Sequence, residues 1–268
     1  MEKHKLAIIG TGALGGIIGK EIKTGLSKDY ELLGILGRDI EKTRDLADKI
    51  DTRAYENLEE IFKDKPDFLI EAANTQLIKD IGIKILENKI NLIILSSGAL
   101  ADKDFYKDME ETAKRNKTKV YVPSGAVGGF DVLRAVTMME ETESKITTEK
   151  NPKSLNGAPY LEGRALSEEV EEDVFKGTAE EAIKHFPKNV NVAVATALAT
   201  NGVENTQVII KSKPAMDTNK HRIDLSGSSI RVSIEIESRP SEANPKSSSL
   251  AAWSVIGLLK NLVSPICF

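Results

Sequence analysis

Five short runs in the first half of the chain are apolar almost without interruption: LAIIG at 6–10, YELLGIL at 30–36, DFLIEAA at 67–73, NLIILSS at 91–97 and KVYVPS at 119–124. A strand with one wet face alternates polar and apolar positions, so unbroken runs of this length read as strands covered on both faces. Between them the apolar positions recur at helical spacing, over 14–26, 40–50, 76–87 and 102–115. Strand and helix in turn predict right-handed crossovers and an α/β, Rossmann-type doubly wound parallel sheet. Beyond Val127 the rhythm changes. Residues 143–179 hold weaker, β-like runs broken by Pro and Gly, followed by TQVIIKSK, HRIDLSG and SIRVSIEIES. Ser229 to Glu237 alternates strictly, the mark of a sheet with one solvated face. The last segment, NPKSSSLAAWSVIGLLKNLVS, returns to helical spacing, with Pro245 at its start and Leu250, Trp253, Ile256 and Leu258 as its apolar face. The pattern predicts a first domain over 1–124, completed by a C-terminal helix over 245–268, and an inserted α+β domain over 125–244.

Composition narrows the function. The 37 basic residues are scattered among 41 acidic ones, giving a net charge of −4 without a basic block, so no nucleic-acid partner is expected. No apolar run reaches the roughly 20 residues that span a bilayer, and MEKHK leads into a strand, so a cytoplasmic protein without membrane contact is expected. The one cysteine, Cys267, is penultimate. That argues against an internal disulfide, a CxxC metal site or a thiol enzyme, and no metal is expected.

The stretch LAIIGTGALGGIIGKEI places Gly10, Gly12 and Gly15 between the first strand and first helix. In this setting the first glycine permits a tight turn, the second lets a pyrophosphate approach the backbone, and the third lets helix and strand pack closely. The helix start, Ala13 and Leu14 included, offers amides to the phosphates. The turn therefore reads as a dinucleotide cradle. An acidic residue usually ends the second strand of such a fold and holds the ribose; here Gly37 and Arg38 stand there, with Asp39 beyond. Glycine leaves room for a 2′-phosphate and arginine offers a guanidinium to it, which favours NADP and leaves NAD open. Ala73, in EAANTQ, and Ser97, in LSSGALAD, end further strands on the side where such sheets hold ligands.

Four segments taken together, VPSGAVGGFDVLRA (122–135), FPKNVNVAVATALA (186–199), NKHRIDLSG (219–227) and RPSEANPKSSSLAAWS (239–254), closely resemble L-aspartate dehydrogenase over nearly the whole chain. The resemblance implies oxidation of L-aspartate to iminoaspartate with NAD or NADP, in a homodimer. The product would be released as oxaloacetate and ammonia or passed to quinolinate and NAD biosynthesis. It also implies cofactor contact at Ala126 and at the asparagine opening the NVA-type helix, matched to Asn191 with Asn189 as the alternative, and a catalytic histidine at His221. Two positions depart from the family pattern: Gly37, where some members are acidic, and Glu149, where an arginine is expected.

The residues lead to His221 by a second route. Of three histidines, His4 precedes the first strand and His185 lies near a helix end, where a cation is merely comfortable. Only His221 sits in the second domain at a strand start, and imidazole titrates near neutrality, as proton transfer during amine oxidation requires. For the substrate's carboxylates, Asn189 and Lys246 are nominated, with Lys150 and Arg164 as further cations. A homoserine dehydrogenase-like oxidoreductase and a non-catalytic NAD(P)-sensing protein remain as alternatives.

Overall fold

The computed structural model describes residues 2–187, 190–239 and 248–268. The chain divides into two units, one of Met1–Pro123 with Ala251–Phe268, the other of Ser124–Leu250.

The first unit holds six parallel strands in the order β3-β2-β1-β4-β5-β6. In chain order it runs β1 (His4–Ile9), α1 (Ala13–Thr24), β2 (Tyr30–Leu36), α2 (Ile40–Lys49), β3 (Arg53–Tyr55), α3 (Leu58–Asp64), β4 (Phe68–Glu71), α4 (Thr75–Glu87), β5 (Asn91–Ile94), a 3₁₀ turn (Ser97–Ala101), α5 (Lys103–Asn116) and β6 (Val120–Tyr121). Order and direction make it a Rossmann-type sheet. The apolar runs at 67–73, 91–97 and 119–124 outlast the strands they contain, which stop at Glu71, Ile94 and Tyr121. The residues beyond these strand ends enter loops at the C-terminal edge of the sheet. The short β3 and α3 fall between the predicted elements, too brief to show a period. Helix starts are fixed locally: Asp39, Asn57, Asn74 and Asp102 each accept a first-turn amide. The core is built on Leu6, Ile8, Ile18, Ile22, Ile35, Ile70 and Ile93.

A last helix, α10 (Leu250–Val263), belongs to this same core, burying Ala252, Val255, Ile256 and Leu259. The Tyr30 hydroxyl donates to the Leu259 carbonyl at 2.7 Å. The apolar face predicted from Leu250, Trp253, Ile256 and Leu258 needs correction: Trp253 is half exposed, and the buried stripe is the one set by positions 252, 255, 256 and 259. Small Ala252 rather than the large indole lies on that stripe. Pro245 lies outside the described residues.

The second unit is a mixed five-stranded sheet in the order β11-β10-β7-β9-β8, formed by β7 (Glu143–Lys150), β8 (Glu172–Thr178), β9 (Thr206–Ser212), β10 (Asn219–Ser226) and β11 (Arg231–Ser238). β7 and β9 are parallel and the other pairs antiparallel. Helices α6 (Phe130–Met139), α7 (Pro152–Leu155), α8 (Ala179–His185) and α9 (Asn191–Ala199) complete it. Alternate residues of β7, β9 and β10 are buried, as period 2 requires. Edge strand β11 alternates between exposed and half-buried positions only. No helix among the described residues is long and apolar enough to cross a membrane.

Candidate cofactor and proton-transfer sites

At the C-terminal edge of the parallel sheet the glycine turn divides its tasks. Gly10 sits at φ +127°, where side-chain-bearing residues are strained, and a Cβ there would run into the carbonyl of Ala72 after β4. A Cβ on Gly15 would collide with the carbonyl oxygen of Gly10, so this glycine closes helix α1 onto its own turn. Gly12 is different: among the described residues nothing lies within 4 Å of a Cβ built on it. It caps α1 without a side-chain hydrogen bond, and the next amides, at Ala13 and Leu14, open the helix beneath that space. Crowded glycines on either side of an open one, at an uncapped helix start, fit a phosphate-bearing dinucleotide.

The other nucleotide-side positions gather along the same edge: Arg38 two residues after β2, Ala73 two after β4 and Ser97 three after β5. The room expected at Gly37 is absent, because a Cβ there would stand 2.6 Å from both the Thr11 methyl and the Thr43 hydroxyl. Glycine is required at 37 by these two threonines, which also leave no place for an acidic side chain. Asp39 caps α2, accepting from the amides of Glu41 and Lys42. Arg38 is exposed and makes no ion pair among the described residues.

One group on this edge went unread in the sequence. Glu71, fully buried at the end of β4, accepts from the Ala73 amide (2.7 Å), the Ser96 amide (3.0 Å) and the Ser96 hydroxyl (2.7 Å). Burial pushes its carboxyl above the usual range, against the pull of these donors. The bonds tie the loop after β4 to the loop after β5, the two that carry Ala73 and Ser97. The visible signal was an acidic residue closing the apolar run DFLIE.

In the second unit, His221 lies on the buried face of β10, opposite Thr148 of β7. Its Nδ1 is 3.0 Å from the Thr148 hydroxyl. Desolvation, with the charge of Lys150 added, pushes the imidazole down to about 3, so the ring is neutral at ordinary pH and the near-neutral titration expected from the sequence is not what this buried position gives. Lys150, 5 % exposed, is itself brought down to about 8 by burial. Thr148 was missed in the sequence, although the alternation through 143–150 places it on the face of Lys150. Glu149 points the other way and pairs with Lys213 at 3.3 Å, so the departure from the family pattern there leaves the histidine face untouched.

Of the remaining predicted positions, Ala126 lies half-buried in a turn beside Gly125, whose φ is +67°. Gly129 nearby is demanded by packing, since a Cβ there would strike Ile234 of β11. Asn191 is the first residue of α9 and is exposed. Arg164 is paired with Glu172 at 2.8 Å, which occupies the guanidinium proposed for a substrate carboxylate. His4 is the first residue of β1 rather than a residue before it, and lies 3.7 Å from Asp67. His185 ends α8 against the rings of Tyr160 and Phe175. Asn189 and Lys246 lie outside the described residues. No metal-binding group of three His, Cys, Asp or Glu is present among the described residues.

A Rossmann-type sheet with a phosphate cradle, and a second, mixed sheet carrying a buried neutral imidazole, define the class of two-domain NAD(P)-dependent oxidoreductases. Residues 10–123 match the model of the homoserine dehydrogenase NAD-binding domain, and residues 131–262 that of the aspartate dehydrogenase C-terminal domain. The chain is 36 % identical to an L-aspartate dehydrogenase of Methanosarcina mazei and 32 % identical to one of Methanocaldococcus jannaschii, with 98 % of each chain covered in both cases. Among solved structures, an aspartate dehydrogenase from Thermotoga maritima matches with a TM-score of 0.75 at 28 % identity, covering 100 % of both chains. A homoserine dehydrogenase from Thiobacillus denitrificans matches at 0.64 with 12 % identity, covering 98 % of this chain and 73 % of its own, a likeness of fold. The chain belongs to the L-aspartate dehydrogenase family.

Proposed function

We propose that this chain oxidises L-aspartate to iminoaspartate with NAD or NADP, with His221 as the proton acceptor. The observation that carries the reading is a buried imidazole held neutral, on the strand where the family's catalytic histidine is matched. A bound nicotinamide would supply the acceptor for the hydride leaving the α-carbon. The protein's part is to hold the nucleotide and to take the amine proton. Gly10, Gly12 and Gly15, with the amides of Ala13 and Leu14, would hold the pyrophosphate, with Ala73 and Ser97 along the same edge of the first unit; Ala126 and Asn191 of the second unit are assigned to the nucleotide by the family resemblance. Arg38, exposed and without an ion pair among the described residues, would meet a 2′-phosphate and favours NADP.

At His221 the hydrogen bond to Thr148 engages Nδ1 and leaves Nε2 for the substrate. With the Nδ1 proton donated to the threonine oxygen, Nε2 carries the lone pair and accepts the proton as the C–N bond gains double-bond character. Water then adds to the imine and ammonia leaves, giving oxaloacetate, unless the imine is first consumed in quinolinate synthesis. Asn189 and Lys246 remain nominated for the substrate's carboxylates on the sequence alone.

The reading includes a small-molecule substrate, a homodimer and a cytoplasmic location, with no nucleic-acid partner. The exposed Met138 and Met139 of α6 support a protein partner for the second unit. Separate incubations with L-aspartate and L-homoserine, each with NADP and with NAD, test the function by the absorbance of the reduced nicotinamide. Reduction with aspartate is expected. Reduction with homoserine alone would reject the proposed substrate, and cofactor binding without turnover on either would leave the sensing alternative.

A further inference from the structure

The buried face of the second sheet changes character along its strands. Directly paired residues of neighbouring strands point to the same face, so the register reads as rows. One row is Val208 (β9), Ile146 (β7), Ile223 (β10) and Ile234 (β11), wholly apolar. The next is Ile210, Thr148, His221 and Ile236. The row after that is Ser212 and Lys150, paired directly, then Asn219, one step beyond the Lys220–Glu149 pair, and Ser238 opposite Asn219. A core face that would gain stability from more isoleucine instead ends in an ammonium, an amide and two hydroxyls.

This row is costly as pure structure. Lys150 and Asn219 are 5 % and 4 % exposed, and Ser212 is fully buried. The hydroxyls of Ser212 and Ser238 are both sealed from solvent and have no hydrogen-bond partner among the described residues. Each buried unsatisfied hydroxyl costs about 1–3 kcal/mol. Beyond Ser212 the row reaches Glu172 of β8, whose carboxylate is engaged by Arg164 and by the Ser167 amide. Donors for an anion thus stand in line beside His221, the group proposed to act on the substrate's amine.

We infer that Lys150, Asn219 and Ser238, on three consecutive strands of this row, seat a carboxylate of the dicarboxylate substrate, with Lys150 as its charge partner. The inference rests on the proposed aspartate reaction and adds to it the group that distinguishes an acidic amino acid from a neutral one. It also gives the neighbouring cation a role. Lys150 opposes protonation of His221, and a carboxylate on the ammonium cancels that opposition when substrate is in place. The imidazole then gains proton affinity as the amine arrives.

The test uses the full chain saturated with NADP and succinate as an unreactive dicarboxylate, followed by titration calorimetry. Lys150→Met is expected to weaken succinate by about 30- to 100-fold, as loss of a charge-assisted bond implies, with NADP affinity unchanged. The KM for aspartate should rise by a similar factor, while kcat changes less than KM. Lys150→Arg should recover part of the loss. Ser238→Ala, on the edge strand, should weaken succinate about threefold to tenfold and decides the matter if Lys150→Met fails to fold. Succinate affinity within twofold of the parent in folded variants, or no succinate binding by the parent chain, overturns the inference. A parent that binds succinate through Lys150 yet leaves aspartate unoxidised rejects the proposed reaction and keeps the seat. A parent that oxidises aspartate with Lys150→Met unimpaired rejects the seat alone.

Discussion

Burying an imidazole, with an ammonium's charge added, sets its protonation before any substrate arrives. With His221 brought down to about 3 from 6.5, the folded chain keeps the ring neutral where the unfolded chain would protonate it. The unfolded state therefore binds more protons between about pH 6.5 and 3, and stability falls as pH drops through that window while remaining whole above it. Two measurements check this. Nitrogen-detected NMR should show the His221 ring neutral from pH 5 to 8, and urea midpoints between pH 7 and 5 should fall less in His221→Gln than in the parent. A His221 resonance titrating near 6.5 would contradict the burial argument. For Lys150, brought down to about 8 from 10.5, the folded chain sheds its proton first, so stability gains as pH rises from 8 towards 10.5. At this scale the sequence was partly legible. His221 stood out because only three histidines compete for the role. Thr148 and Glu71 did not, because a threonine in a strand and a glutamate after an apolar run are ordinary until register and burial show what they face.

The glycine turn shows how one element combines stability with binding. Gly12 has extended backbone, φ −81° and ψ −173°, and open space beyond it, whereas Gly15 is shut against the carbonyl of Gly10. Gly12→Val should leave the unfolding midpoint nearly unchanged and weaken NADP about tenfold or more, because the new side chain fills space a phosphate needs. Gly15→Ala should destabilise by about 1–3 kcal/mol through overpacking. Thermal unfolding and cofactor titration on both variants check the division; equal destabilisation by both would contradict it. The elements themselves were legible where the apolar period ran long, as in β1, β2, α4 and α5. The three-residue β3 and seven-residue α3 were not, since neither completes enough repeats to reveal a period. Gly37 was legible as glycine but not in its cause: the threonines that exclude a side chain come from the glycine turn and from α2.

At the scale of the molecule, both ends of the chain build the first unit, with α10 completing a core begun by β1. The helical period of the last segment was plain in the sequence, but its buried stripe was misread by one large residue. Spacing favours Trp253, while the contacts select Ala252, Val255, Ile256 and Leu259. Similarly, period 2 announced the strands of the second unit, but not the rows that their register creates across four of them. Those rows gather Thr148, His221 and Lys150 from two strands about seventy residues apart in sequence, as the 73-residue separation of the Thr148–His221 bond shows. The chemistry assigned to the whole chain converges on that imidazole. Its most direct test is His221→Ala, compared with the parent for aspartate-dependent NADP reduction and for NADP affinity. The account predicts a loss of turnover of about 10²- to 10⁴-fold, the range for a removed general base, with affinity for NADP retained. Turnover within threefold of the parent in a folded variant would contradict it.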